Sequence, residues 1–291
     1  MKIGITERGD ASIDFSWVNK IKDVDGAIII SKGFNDRFKK ELILNQDKII
    51  YHATITGLGG TILEPNVPNY LEMYNNISKL ISDGFNVKHI VIRIDPLIGT
   101  YLFSQINDFP FDTSEYDDLF PQHKYFAIIE DIIEKFVSVG VRRFRYSYLD
   151  LYNHVIKRFD NIGFKCPVDA MNIGFDSSIQ TEDDVSYFQS MIWGIANDVS
   201  FEDSKGFPNH GLNNYLAFNE PTIYFESCAE SLVDDSHMVG CISQRDLDTL
   251  GIVGNLTGSS NQRKHCLCPS CKTELLEFKS CNHGCVYCYW K

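Results

Sequence analysis

The feature that most constrains this fold is a repeated alternation between short β-rich segments and amphipathic helical segments. The helical segments 69–83 and 122–139 carry apolar residues three or four positions apart, which places those residues on one face of a helix. The strand segments are short, rich in β-branched or aromatic residues, and bounded by Gly, Pro, Asp or Asn. These predicted strands are residues 2–6, 26–31, 48–56, 89–95, 141–147 and 222–227.

Alternating strands and helices predict an α/β chain with a parallel sheet and right-handed crossovers. An open, doubly wound sheet satisfies this pattern, and so does a full or partial parallel β/α (TIM-type) barrel. In either architecture ligands bind at the carboxyl ends of the strands. We expect residues 1–227 to form the barrel body, and residues 228–291 to form a cysteine-rich, metal-binding tail that folds back on the barrel mouth.

The charge and the apolar patterning of the chain exclude several classes of protein. With 27 Lys and Arg against 39 Asp and Glu, the net charge of −12 gives no strong signal for binding duplex nucleic acid. The longest apolar runs are far too short to span a bilayer, and the opening residues do not resemble a secretory leader. We therefore expect a globular, cytoplasmic protein without a membrane partner.

Polar residues stand at the carboxyl ends of the predicted strands. In the strand 89–95, a period of two puts Arg93 and Asp95 on the face opposite Ile90, Ile92 and Ile94. In a barrel the isoleucines would face the helices, and Arg93 and Asp95 would point into the mouth. The alternative interpretation is a structural ion pair that closes the end of the strand.

Cysteine is distributed very unevenly along the chain. Of the nine cysteines, six fall within the last 26 residues. In a reducing compartment, such crowding argues for metal ligation rather than disulfide bonds, and an odd total also fits disulfide pairing badly. The six are Cys266, Cys268, Cys271, Cys281, Cys285 and Cys288.

The last three cysteines, Cys281, Cys285 and Cys288, have the spacing C-x3-C-x2-C. Three thiolates at this spacing can hold a 4Fe–4S cluster and leave its fourth iron without a protein ligand. This is the pattern of the radical S-adenosylmethionine (SAM) enzymes, in which the open iron chelates SAM. Gly284 gives the backbone room to curl around a cluster, and Tyr287 can cover the cluster or a bound cofactor.

Four further cysteines suit a second, fully ligated cluster, with Cys271 as the alternative member. The four are Cys228, Cys241, Cys266 and Cys268. Zinc is the alternative metal for the tail cysteines, with His265 or His283 as an additional ligand. Cys166 is isolated in the sequence and is predicted to be a packing residue.

Several blocks of the chain resemble an uncharacterised family, domain of unknown function 1848. Residues 51–57 and 63–68 are similar to its TxTG…LEPxVP block, and residues 91–96 are similar to its WRYDP strand end. Residues 227–230 are similar to its CAE motif, and residues 262–289 to its QRxxCxC…CxHGCxYCY ending. The likeness covers most of the chain and is most specific in the tail.

The resemblance implies a cluster motif placed as if the fold were circularly permuted. In ordinary radical SAM enzymes the motif follows the first strand, so here the tail must return to the top of the barrel. Two early blocks of the chain depart from the family. Where the family has SRRTD, this chain shares only Arg8 and Asp10, and where the family has WTKNP, it shares only Lys32. Because of these departures, the resemblance does not identify the substrate.

Together these patterns predict an iron–sulfur protein that resembles a radical SAM enzyme, with one or two 4Fe–4S clusters and SAM as cofactors. Its partners would be an electron donor and an unidentified small-molecule or nucleotide-like substrate. The candidate catalytic residues are Arg93, Asp95 and Glu226. The candidate cofactor-binding residues are Arg93, Asp95, Glu64, Lys32 and Tyr287. A zinc-stabilised binding module, or a closed-cluster electron-transfer or sensor protein without turnover, are the alternative hypotheses.

Overall fold

A computed structural model describes residues 1–116, 119, 121–166, 182–196, 223–228, 238–257, 267–278 and 281–290. The strands in these ranges form one sheet, in which every neighbouring pair is parallel. The strands are β1 (Ile3–Ile5), β2 (Gly26–Ser31), β3 (Ile49–Thr54), β4 (Ile90–Leu97), β5 (Arg143–Tyr148), β6 (Tyr224–Cys228), β7 (Met238–Val239) and β8 (Lys272–Glu274).

The order of strands in the sheet is β7–β6–β5–β4–β3–β2–β1–β8. Strands β1 to β7 thus lie side by side in chain order, and β8 pairs with the other side of β1. The sheet is curled into a half-barrel, and in the described part of the chain β7 and β8 are its unpaired edges. The predicted α/β fold with a parallel sheet is confirmed, and the curled form is consistent with a partial TIM-type barrel.

Helices occupy most of the connections between the strands. The helices are α1 (Ser16–Lys20), α2 (Asp36–Leu44), α3 (Tyr70–Ser82), α4 (Thr100–Phe103), α5 (Pro121–Ser138), α6 (Asn153–Asn161), α7 (Glu182–Ala196) and α8 (Gln244–Thr249). The side chains of Asn35 and Asn69 accept hydrogen bonds of 2.9 Å from backbone N–H groups in the first turns of α2 and α3. Such caps satisfy donors that the start of a helix leaves without partners.

The alternation of side chains along the strands separates two apolar layers. On β4, Ile90, Ile92 and Ile94 belong to the large core that includes the buried faces of α3 and α5. Val91 instead belongs to a small second core on the other face, together with Ile50 of β3. The isoleucines therefore face the helices, as the period of two predicts.

The sequence locates β1 to β6 within two residues at either end, and α3 and α5 within one residue. It misses β7, which has two residues, and β8, which is as short as β1 but is polar and lacks the apolar β-branched residues that mark β1. None of the described helices is both long and apolar enough to cross a membrane.

Candidate functional site

A cavity of about 500 Å³ opens at the carboxyl ends of several strands. This volume lies within the range of about 300–1,000 Å³ that is typical of small-molecule sites. Its position is the one at which parallel α/β sheets bind their ligands. The residues that line it at or just after strand ends are Ser31, Lys32, Thr54, Arg93, Asp95 and Cys228.

The C-terminal cysteine motif lines the same cavity. Its residues in the wall are Cys281, His283, Cys285, Tyr287, Cys288, Tyr289 and Trp290. The three cysteines with C-x3-C-x2-C spacing are therefore brought to one cavity with Arg93 and Asp95, although about 190 residues separate the two groups in the chain. A cavity with thiol, cationic and carboxylate groups in its wall suits a metal centre and a charged cofactor.

Backbone hydrogen bonds join the cysteine loop to the segment that follows β3. The N–H of Asn66 donates to the carbonyl oxygen of His283 at 3.2 Å, and the N–H of Val286 donates to that of Leu63 at 3.0 Å. Gly284 adopts a φ of 76°, in the left-handed region that side chains disfavour. The loop can turn between its cysteines because this position is glycine.

A buried carboxylate, Asp10, connects the cysteine loop to the ends of β1 and β2. One of its oxygens lies 2.7 Å from Nε2 of His283 and accepts the backbone N–H of Lys32 at 2.7 Å. The other accepts the hydroxyl groups of Ser12 and Ser31, both at 2.6 Å. Burial raises the pKa of Asp10, but His283 and the hydroxyl donors outweigh it and hold the pKa below its usual value. Burial lowers the pKa of His283, and Asp10 more than reverses this.

Within the motif, Cys285 is buried, whereas Cys281 and Cys288 are partly exposed to the cavity. Burial raises the pKa of the Cys285 thiol to about 12, and the positive charge of Lys32 offsets only part of that rise. The negative charges of the Cys288 and Cys281 thiolates also raise the pKa of Cys285. Burial favours the protonated thiol of Cys285. Binding to a metal centre would displace this proton, because cysteine binds metals as the thiolate.

Lys32 lies in the same cavity wall, and two side chains hold it. Its Nζ atom lies 2.6 Å from a carboxylate oxygen of Glu64 and 3.0 Å from the hydroxyl of Tyr287. Glu64 also accepts the hydroxyl of Thr56 at 2.9 Å. Of the predicted cofactor-binding residues, Lys32 and Tyr287 therefore line the cavity, while Glu64 stands behind Lys32.

A second group of thiols meets at the same cavity. Cys228 is the last residue of β6, Cys241 follows β7 and Cys268 precedes β8, and all three line the wall. The backbone N–H of Cys241 donates to Sγ of Cys268 at 3.2 Å. The hydrogen bond from Cys228 lowers the pKa of Cys241, but the hydrogen bond with Cys268 and burial outweigh it and raise the pKa to about 12.

Arg93 and Asp95 form an ion pair within the wall of the cavity. Asp95 also accepts the hydroxyl hydrogen bond of Ser147 from the neighbouring strand β5. The Nε atom of Arg93 is buried without a hydrogen-bond partner. Arg93 and Asp95 therefore face the cavity, as predicted for a barrel mouth, and they also form the ion pair of the alternative interpretation.

Behind the cavity lies a buried ionic network on β5, β6 and α8. Arg145 is fully buried, and its guanidinium contacts Glu226, Asp246 at 3.3 Å and the hydroxyl of Ser243 at 3.0 Å. Arg143 pairs with the other oxygen of Asp246. Glu226 is thus engaged by Arg145 and is absent from the cavity wall, which argues against the predicted catalytic role of this carboxylate.

His52 on β3 is fully buried beside this network. Its Nε2 atom is 3.8 Å from Asp246, too far for a hydrogen bond, and neither ring nitrogen has a partner. Burial is the largest cause that lowers the pKa of His52. The charges of Arg145 and Arg93 act in the same direction and Asp246 opposes them, so that the pKa is about 3. His52 is therefore a neutral interior residue.

Lowering the pH from about 7.5 to about 5 is expected to cost the wild-type protein about 2 kcal/mol more stability than it costs a His52→Gln variant. In the unfolded chain His52 takes up a proton below its ordinary pKa of 6.5. In the folded protein His52 stays neutral until the pH approaches its lowered pKa of about 3. The stability that neutral His52 contributes above pH 6.5 is therefore lost progressively as the pH falls. Urea unfolding at both pH values measures this difference, and an equal decline in the two proteins would contradict it.

The other cysteines are placed differently. Cys271 packs against the small second core that contains Val91 and Ile50. Cys166 lies in the large core on the helix side of the sheet, where burial raises its pKa to about 11. Cys266 and His265 lie outside the described residues. Among the residues that the structure describes, no three His, Cys, Asp or Glu side chains are grouped as the ligands of a single metal ion.

Two parts of the site were not found by sequence reasoning, namely the Asp10–His283 contact and the network around Arg145. Arg143 and Arg145 alternate along the predicted strand 141–147, a pattern that signals charges on one face of a strand. Asp10 has no comparable local signal, because its partner lies 273 positions away.

No family model, no curated protein and no solved structure matches this chain. The resemblance to domain of unknown function 1848 therefore stays a prediction. The residues of the cavity wall carry the chemistry from which a function can be inferred.

Proposed function

We propose that this chain is an iron–sulfur enzyme of the radical SAM type, with its cluster on Cys281, Cys285 and Cys288. The observation that carries the proposal is that these three cysteines line one strand-end cavity together with Lys32, Arg93 and Asp95. When bound, the cluster supplies the electron that cleaves the sulfonium of SAM to a 5′-deoxyadenosyl radical. The protein supplies the ligands, the charges and the shelter from water.

The donor set fits a 4Fe–4S cluster with one open iron. Three thiols from one short loop supply three ligands, and all three lie in the wall of the cavity. Three thiolates can hold three of the four irons of such a cluster and leave the fourth without a protein ligand. Lys32 places a positive charge beside Cys285 and so favours the thiolate form that ligation needs.

Arg93 and Asp95 are the groups that would recognise the amino-acid part of SAM. The guanidinium of Arg93 suits a carboxylate, and the carboxylate of Asp95 suits an ammonium group. Their ion pair holds both groups at the cavity wall before the cofactor binds. Tyr287, whose hydroxyl is held by Lys32, presents a ring to the same space.

In this proposal the C-terminal tail closes the mouth of the half-barrel. His283 lies between the cysteines and contacts both Asp10 and the backbone oxygen of Asn66. Arg158 of α6 donates to the carbonyl oxygen of Cys288. Contacts on both sides of the motif would hold the sulfur atoms toward the cavity while a cofactor binds and leaves.

Anaerobically purified and reconstituted protein is expected to contain at least about four irons and four sulfides per chain. After reduction with dithionite and addition of SAM, it is expected to release 5′-deoxyadenosine. Chromatographic detection of that nucleoside is the direct measurement. Colourless protein with stoichiometric zinc would contradict the proposal, and so would a fully loaded, reduced cluster that leaves SAM intact.

A further inference from the structure

We propose that Cys228, Cys241 and Cys268 bind a second iron–sulfur cluster, separate from the one at the C-terminal motif. The site lies at the seam, which we define as the place where the segments next to the edge strands β7 and β8 meet. Cys241 is two residues after β7, and Cys268 is four residues before β8. Cys228 completes the set from the end of β6.

The three cysteines lie in one stretch of the cavity wall. Two of them are in direct contact, because the backbone N–H of Cys241 donates to Sγ of Cys268 at 3.2 Å. Backbone N–H donors to sulfur are a common way of stabilising thiolate ligands and tuning clusters.

The main chain at the seam is built for close approach. A Cβ atom on Gly240 would lie 2.7 Å from both the backbone nitrogen of Cys268 and the carbonyl oxygen of Leu267. Only glycine allows the two segments to pack this closely. The approach brings Cys241 against Cys268, although β7 and β8 do not pair with each other in the described sheet.

Two cations lie beside these thiols, and each is also paired with a carboxylate. Arg93 lies in the same cavity wall and pairs with Asp95. Arg145 donates from Nη1 to the carbonyl oxygen of Cys241 at 2.9 Å and pairs with Glu226. These cations therefore offset part of the negative charge that buried thiolates would bring.

One of these cations, Arg93, also holds an unused donor in the cavity wall. Its Nε atom is buried and has no hydrogen-bond partner among the described residues. A buried donor without a partner costs free energy, so an acceptor at this wall would lower that cost. Thiolate or sulfide sulfur of a cluster is an acceptor of the right charge.

The test uses the full chain without the C-terminal ligands, as a Cys281→Ala/Cys285→Ala/Cys288→Ala variant that is reconstituted anaerobically with iron and sulfide. This variant is expected to retain about half of the wild-type iron and sulfide, roughly four of each per chain. Adding Cys241→Ala is expected to reduce both to background. Adding Cys271→Ala instead is the matched control and is expected to change neither.

Two results would overturn the second cluster. One is a folded triple-Ala variant, judged by circular dichroism, that binds no iron and sulfide; the other is zinc bound without sulfide. Should the triple-Ala variant not fold, Cys241→Ala alone in the wild-type chain is expected to lower the iron content from about eight to about four per chain. An unchanged content there would refute the site. SAM is absent from the experiment, so the outcome is independent of turnover at the C-terminal motif.

Discussion

Replacing Cys285 with Ala is expected to reduce the reductive cleavage of SAM to background and to remove about four irons and four sulfides per chain. Cys285 is the buried member of the C-terminal motif, and its thiol interacts with Lys32 and with the other two cysteines. Without it, the cluster loses its most enclosed ligand, and two partly exposed thiols are left to hold it. The readouts are iron and sulfide analysis and the yield of 5′-deoxyadenosine after reduction.

Cys166→Ala is the matched control for this prediction. Cys166 is also buried, but it lies in the helix-side core and does not line the cavity. Its replacement is expected to leave both the iron content and the nucleoside yield at wild-type levels, with at most a modest loss of stability from the small void. Equal losses in the two variants would mean that the effect of Cys285 arises from unfolding rather than from ligation.

The parallel sheet could be predicted from the sequence because each long strand carries its own local signal. On β4 the period of two separates the isoleucines from Arg93 and Asp95, and the two apolar layers of the structure follow that division. A partial barrel was among the predicted architectures, and the curl of the sheet is consistent with it. The addition of β8 beside β1 could not be predicted, because it depends on pairing between residues about 270 positions apart and the segment Lys272–Glu274 carries no strand pattern.

The chemistry of the cavity wall was partly predictable for a similar reason. Spacing marks Cys281, Cys285 and Cys288 as a group, and strand ends mark Arg93 and Asp95. Spacing does not reveal which carboxylates line the cavity. Glu226 lies opposite Arg145 in the pairing of β5 with β6 and is engaged by it, and Glu226 is absent from the cavity wall.

Replacing Arg145 with Leu is expected to lower the free energy of unfolding by about 3–5 kcal/mol, because it leaves buried charges without their partner. Arg145 and Asp246 are fully buried, and Glu226 is nearly so. The guanidinium also donates to the backbone of Cys241, so its loss removes support from the seam. Urea unfolding followed by circular dichroism gives the change in free energy directly.

Arg142→Leu is the matched control, because Arg142 is the same residue type on the solvent side and bonds only carbonyl oxygens, those of Val137 and Val141. Its replacement is expected to change stability by no more than about 0.5 kcal/mol. Adding Glu226→Gln to Arg145→Leu is expected to recover part of the loss, because one buried charge disappears while Asp246 keeps Arg143. A loss below about 1 kcal/mol for Arg145→Leu, or no recovery in the double variant, would show that these ions are not energetically coupled.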